Sequence, residues 1–170
     1  MAGISLILQN NPNVTQINCG ASSPRLGGTV DISAFPNLQQ FRCNNHDITA
    51  LSGYAQNSNL TLVEFFQNKV TGPIPSLSGL NNLQTFRCFT NQLTGFNGGP
   101  VSNILGSFQA QNNQLPSTSV NVILSAFVAA NKTAGTRILN LGGVGNAAPA
   151  GQGITDKATL VSIGWTVTTN

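Results

Sequence analysis

Leu60-Thr61-Leu62-Val63-Glu64-Phe65-Phe66-Gln67-Asn68-Lys69-Val70 holds the organising pattern of this chain. Apolar residues stand at Leu60, Val63 and Phe65, an amide at Asn68 and a further apolar residue at Val70. The alternation around Val63 to Phe65 fits a short strand with one face buried, because successive strand side chains point to opposite sides. The same apolar-xx-apolar-x-apolar segment recurs as Val14-xx-Ile17-x-Cys19, Leu38-xx-Phe41-x-Cys43, Leu83-xx-Phe86-x-Cys88 and Leu105-xx-Phe108-x-Ala110. Successive first positions lie 24, 22, 23 and 22 residues apart. A near-constant spacing of this size marks a solenoid in which one strand and one return segment make each coil.

The continuation repeats as well. After two intervening residues comes a polar one, then an apolar one two further on: Asn68-x-Val70, Asn91-x-Leu93 and Asn113-x-Leu115, with His46-x-Ile48 in the same register. From Val14 to Leu115 the pattern resembles the leucine-rich-repeat family, whose core reads LxxLxLxxNxL. The resemblance implies an α/β solenoid with a parallel sheet on a concave face and mostly extended or irregular convex returns. It also implies a ladder of Asn side chains that satisfies backbone groups where each coil turns. On this chain it assigns Asn68, Asn91 and Asn113 to the ladder, since an amide donates and accepts at once. His46, the only histidine, is then a structural substitute for Asn rather than a catalytic or metal residue.

Cys19, Cys43 and Cys88 share one inward position with Phe65 and Ala110 and read as small buried core residues. Pairing of Cys19 with Cys43 stays open, because adjacent coils stack at roughly 4.8 Å. Cys88 is two coils from Cys43, too far to pair. In the returns, Gly72-Pro73-Ile74-Pro75 is extended rather than helical, since proline removes a donor and fixes the backbone. Phe35-xx-Leu38 and Leu77-xx-Leu80 seal the convex side.

The chain is expected to be one domain, 1–170: an N-terminal cap and first coil over 1–28, regular coils over 29–118, and helix-containing coils with a cap over 119–170. Ile4, Leu6 and Ile7-Leu8 form a cap strand or a short helix, and Ser22 to Gly28 a loose loop. Ser119 caps a helix carrying Val120, Ile123, Leu124, Phe127 and Val128, a stripe at helical spacing. A strand within Thr136 to Leu141 follows, then a second short helix from about Asp156 to Ile163 behind Thr155, and a strand at Trp165-Thr166-Val167. Trp165 closes the end of the core. Gly145-Asn146-Ala147-Ala148-Pro149 with the segment Gly153 to Thr168 resembles the closing segments of leucine-rich-repeat proteins from bacteriophage and bacteria. That resemblance implies a virion-associated part: tail, fibre or capsid decoration.

Only 6% of the chain is charged, so its polarity rests on amides and hydroxyls, with 22 Asn residues foremost. Such a surface offers little repulsion against self-association. The seven basic residues never form a run, which argues against nucleic acid. No apolar stretch reaches transmembrane length, and no export signal is recognisable at Met1 to Ser5. Asp31, Asp47, Glu64 and Asp156 fall at no spacing that predicts a shared acid–base site, and no cofactor, calcium or phosphate motif stands out. The expectation is a non-enzymatic structural or protein-binding module. Its partners would be other virion proteins or itself, or a host surface protein or glycan. Outward positions of the strands give the candidate recognition surface: Arg42, Glu64, Phe66, Arg87, Phe89 and Gln109. Aromatics beside arginines have the composition of binding hot spots. The competing view is that Glu64 neutralises both arginines while the phenylalanines tuck against the turn.

Overall fold

A strand of three residues is too short to hold a sheet alone, so each coil lays its strand on the one before. The computed structural model describes residues 4–5, 11–20 and 24–170. The strands are β1 (Ile4–Ser5), β2 (Gln16–Asn18), β3 (Leu26–Asp31), β4 (Gln40–Arg42), β5 (Asp47–Ser52), β6 (Leu62–Glu64), β7 (Thr71–Ile74), β8 (Thr85–Arg87), β9 (Gln92–Phe96), β10 (Ser107–Gln109), β11 (Ile138–Asn140) and β12 (Thr166–Thr168). A 3-10 turn, Tyr54–Gln56, follows β5. Two helices, α1 (Ser117–Ala130) and α2 (Gln152–Ser162), serve the last coils.

Seven strands, β2-β4-β6-β8-β10-β11-β12, form one parallel sheet in chain order. Their central residues Ile17, Phe41, Val63, Phe86, Phe108, Leu139 and Val167 lie in one register. From Phe41 to Leu139 these side chains are buried completely, each contributing about 1.5–3 kcal/mol relative to exposure. Behind them a train of rings runs along the solenoid. Phe65 meets Phe86 edge-on at 5.7 Å, Phe86 stacks on Phe108 at 5.5 Å, Phe108 meets Phe127 at 5.5 Å, and Phe127 meets Trp165 at 5.2 Å. Trp165 is buried, and its indole N–H donates to the Lys132 carbonyl at 3.1 Å. The ring ends the core without leaving its polar atom unpaired.

The return side corrects the leucine-rich-repeat expectation. The described strands form three separate parallel sheets, not the single curved sheet with irregular returns that the resemblance implies. The second sheet is β1-β3-β5 and the third is β7-β9. Extended returns at the same height in neighbouring coils have their N–H and C=O groups within reach, and pairing them avoids leaving those groups bare. Both return sheets carry a register shift, at Gly28/Thr29 and at Gly72/Pro73. Such bulges accommodate an extra residue and, at Pro73, a missing donor. Between the two sheets the Lys69 N–H to Ile48 carbonyl bond at 2.9 Å spans the gap. The chain is therefore a parallel β-solenoid with two C-terminal helices.

Several boundaries differ from expectation. Leu26–Asp31 is a strand where a loose loop was expected through Gly28, and Ile4–Ser5 pairs with its start. The cap residues Leu6, Ile7 and Leu8 and the loop residue Ser22 lie outside the described residues. Helix α1 begins at Ser117 behind Pro116, whose carbonyl accepts the Ser119 and Val120 N–H groups; Ser119 is thus a buried first-turn residue, not the cap. Helix α2 begins at Gln152, before Thr155, with Gly151 at its start. Gly153 lets this helix approach α1: a Cβ there would come within 2.0 Å of the Asn121 side-chain oxygen. The last strand is Thr166–Thr168, so Trp165 precedes it.

Candidate functional site

The coils of β4, β6, β8 and β10 leave the seven-stranded sheet through a residue in the left-handed region: Asn45, Gln67, Thr90 and Asn112, with φ between 55° and 65°. That turn points backbone groups away from the sheet partners, and the next residue meets them. Asn68 accepts the Ile48 N–H at 3.1 Å and donates to the carbonyls of Cys43 at 2.9 Å and Phe65 at 3.0 Å. Asn91 accepts from Val70 and donates to Phe65 and Cys88. Asn113 accepts from Leu93 and donates to Cys88 and Ala110. His46 fills the same role, its Nδ1 accepting the Leu26 N–H at 3.3 Å and its Nε2 bonding the Cys19 carbonyl. The ring is buried and both nitrogens are engaged, which leaves none for a substrate or a metal.

The ladder has a further member that spacing concealed. Asn146 accepts from Leu115 at 3.0 Å and donates to Ala110 and Leu141, each at 2.9 Å. It stands five residues after its inward apolar residue, Leu141, instead of three, because the glycine-rich turn before it is longer. A second set of amides lies where strands begin. Asn37 donates to Pro12, Asn59 to Pro36 and Asn82 to Ser58 at 2.9–3.1 Å. The legible signal was an Asn directly before Leu38, Leu60 and Leu83. These side chains tie three successive coils each to the one before, and with Asn68, Asn91, Asn113 and Asn146 they give seven of the 22 Asn residues a structural role.

The cysteines are free thiols. Cys43 and Cys88 are buried as expected, but Cys19 is only half-buried, since it follows the edge strand β2. A hydrogen bond from the Cys43 thiol holds Cys19 below the usual thiol range and, with burial, pushes Cys43 up. Burial alone pushes Cys88 up.

The outer face of the seven-stranded sheet brings the expected recognition residues together. Registers β4-β6-β8-β10 place Arg42, Glu64, Arg87 and Gln109 side by side. Glu64 sits between the arginines, Oε1 at 2.8 Å from Arg87 Nη1 and Oε2 at 3.3 Å from Arg42 Nε, and its side chain is only 10% exposed. Arg42 is further held by Gln40 at 2.6 Å, and Gln109 donates to the Ser107 hydroxyl at 3.1 Å. One carboxylate against two guanidiniums leaves this row a net positive charge. Phe66 and Phe89 stack in parallel beside it, centroids 4.4 Å apart and planes 8° apart, and both stay half-exposed. The neutralisation foreseen for Glu64 is therefore present, whereas the phenylalanines use each other as partners.

Among the described residues, no group of three or more His, Cys, Asp or Glu side chains gathers closely enough to hold a metal, and no helix is long and apolar enough to cross a membrane. No protein-family model matches the chain, and no curated protein matches it significantly. The expected link to bacteriophage structural proteins, and with it the virion assignment, thus has no support from relatedness, and the fold departs from the repeat family that suggested it.

Proposed function

We propose that the protein is a non-enzymatic structural and binding module that holds a protein partner, a second copy included, against the outer face of its seven-stranded sheet. The observation that carries this is the Phe66–Phe89 stack beside the Arg42–Glu64–Arg87 row. Half-exposed aromatics held just beyond the ends of β6 and β8, where their carbonyls accept the Asn45 and Gln67 N–H groups, lose little freedom on binding, and arginines already oriented by a carboxylate lose less than mobile ones. Three paired strands and the hydrogen-bonded turns after two of them hold these side chains, so the surface is organised before a partner arrives.

A protein surface suits this geometry better than a glycan. Sugars stack on open ring faces, and here each phenylalanine covers one face of the other. The outer faces look along the column toward Asn44 and Gln111, which leaves ring edges to meet a partner. Edges favour aliphatic and aromatic side chains.

The test compares wild type with the double variant Phe66→Ser/Phe89→Ser in partner capture from source extract, with self-association measured by sedentimentation velocity and a glycan array in parallel. The reading expects a saturable protein ligand or self-complex with wild type and at least about a tenfold loss in the variant, at an unchanged melting temperature. Equal binding by both proteins would move the interface to another face. Retention of glycans alone would replace the protein partner with a carbohydrate.

A further inference from the structure

At the N-terminal ends of β8, β10 and β11 the same sheet face opens into a cleft of about 430 Å³. Its cationic walls are Arg87 and Lys132, its hydroxyls include Ser107 and Thr136, and Ile104 and Ile138 are each 38% exposed on its apolar side. No carboxylate lines it. Arg87 spends one nitrogen, Nη1, on Glu64, while its Nε is shielded from water and has no acceptor. Lys132 makes no ion pair among the described residues. Gly106 lets the Thr136 backbone and the Lys132 stem close against the floor: a Cβ there would lie 2.3 Å from the Thr136 carbonyl oxygen and 3.1 Å from the Lys132 stem.

We propose that this cleft is the acidic-side-chain subsite of the binding face, taking an Asp or Glu carboxylate of the partner between Arg87 and Lys132 with an adjoining apolar residue against Ile104 and Ile138. The inference rests on the sheet face being the interface. Lys132 has no acid beside it among the described residues and Arg87 shares Glu64 with Arg42, so the cleft keeps an excess of positive charge and hydroxyl donors for one further carboxylate, and the apolar wall excludes water from the pair, which strengthens it. A phosphate backbone would need a longer row of cations than the two present here. The cleft shares Arg87 with the aromatic row, so one partner segment crossing the sheet reaches both.

The experiment uses the full chain and two capped tetrapeptides, one alternating leucine with glutamate and the other leucine with glutamine, followed by amide chemical shifts. The expected result is saturable shifts at Gly106, Ser107, Lys132 and Ile138 with the glutamate peptide, weakened at least about tenfold with the glutamine peptide. Lys132→Gln should weaken the glutamate peptide by about the same factor and flatten its salt dependence, and Lys132→Arg should restore it. Equal shifts from both peptides, shifts confined to other regions, or unaltered binding by Lys132→Gln would overturn the subsite. If Phe66→Ser/Phe89→Ser abolishes partner capture while Lys132→Gln leaves peptide and partner unaffected, the binding face stands and the cleft does not. If the cleft binds glutamate but the phenylalanine variant keeps its partner, the face reading fails on its own.

Discussion

The two sides of each coil follow different rules. On the sheet side the coils repeat a three-residue strand and, at β4, β6, β8 and β10, a left-handed turn followed by a side chain that receives one N–H and bonds a carbonyl of the previous coil. On the return side successive coils use a bulged strand, a 3-10 turn, a proline-containing strand and then a helix. The difference shows where the fold is specified. The ladder satisfies the backbone at each exit from the sheet, so a return needs only to cover the core and come back at the right height. Many backbone conformations meet that condition. A binding face built on the sheet side therefore inherits its rigidity from the ladder.

The largest expected effect lies on the return side and concerns volume rather than backbone. Phe127→Ala removes a buried ring that bridges Phe108 and Trp165, and urea unfolding should show a loss of about 4 kcal/mol. Next comes the sheet side, where Asn113→Ala strands the Leu93 N–H, while the Cys88 and Ala110 carbonyls lose one donor each and keep Asn91 and Asn146. At about 1–3 kcal/mol for one buried group left unpaired, the expected loss is about 2 kcal/mol, or roughly 4–8 °C in Tm for a chain of this size. A loss below about 1 kcal/mol would mean that the ladder follows the fold instead of holding it. The smallest effect has the opposite sign. Thr90 is β-branched, exposed and at φ 55°, so Thr90→Gly should relieve strain and stabilise the protein by about 0.5 kcal/mol after the added freedom of the unfolded chain is subtracted. Thermal denaturation beside wild type checks this.

The same contrast explains what could be seen from sequence. The strand register and the ladder at His46, Asn68, Asn91 and Asn113 were legible because their spacing is fixed by the turn between them. Asn146 was not, because its turn is two residues longer. The return strand Leu26–Asp31 escaped, and Thr71–Ile74, read as extended, was not recognised as a paired strand, since glycines, a proline and bulges erase the two-residue alternation by which strands are recognised. Their pairing into separate sheets is a property of stacked coils that no single coil displays. Helix α2 was placed late because Gly151 and Gly153 read as loop, although Gly153 is what allows close contact with Asn121. Of the candidate surface, the residues and the pairing of Glu64 with both arginines were legible, and the Phe66–Phe89 stack was not. Alternation and the coil spacing told which side chains face outward and set Glu64 between two arginines, but the parallel stacking of the two phenylalanines depends on side-chain rotamers that spacing does not fix. Lys132 and the cleft at Gly106 lay beyond sequence reasoning, since the helix that carries the chain to Lys132 returns it to the sheet from more than twenty residues away.

Residue-resolved amide hydrogen exchange tests the ladder most directly. The N–H groups of Ile48, Val70, Leu93 and Leu115 bond to ladder side chains, not to another strand's carbonyl. They should exchange as slowly as the Phe65 and Cys88 amides, which pair with backbone carbonyls of the next coil. In Asn113→Ala, protection at Leu93 should fall first and furthest. Exchange at these four amides as fast as at exposed return positions, with Phe65 and Cys88 still protected, would contradict the claim that the side-chain ladder holds the coils together.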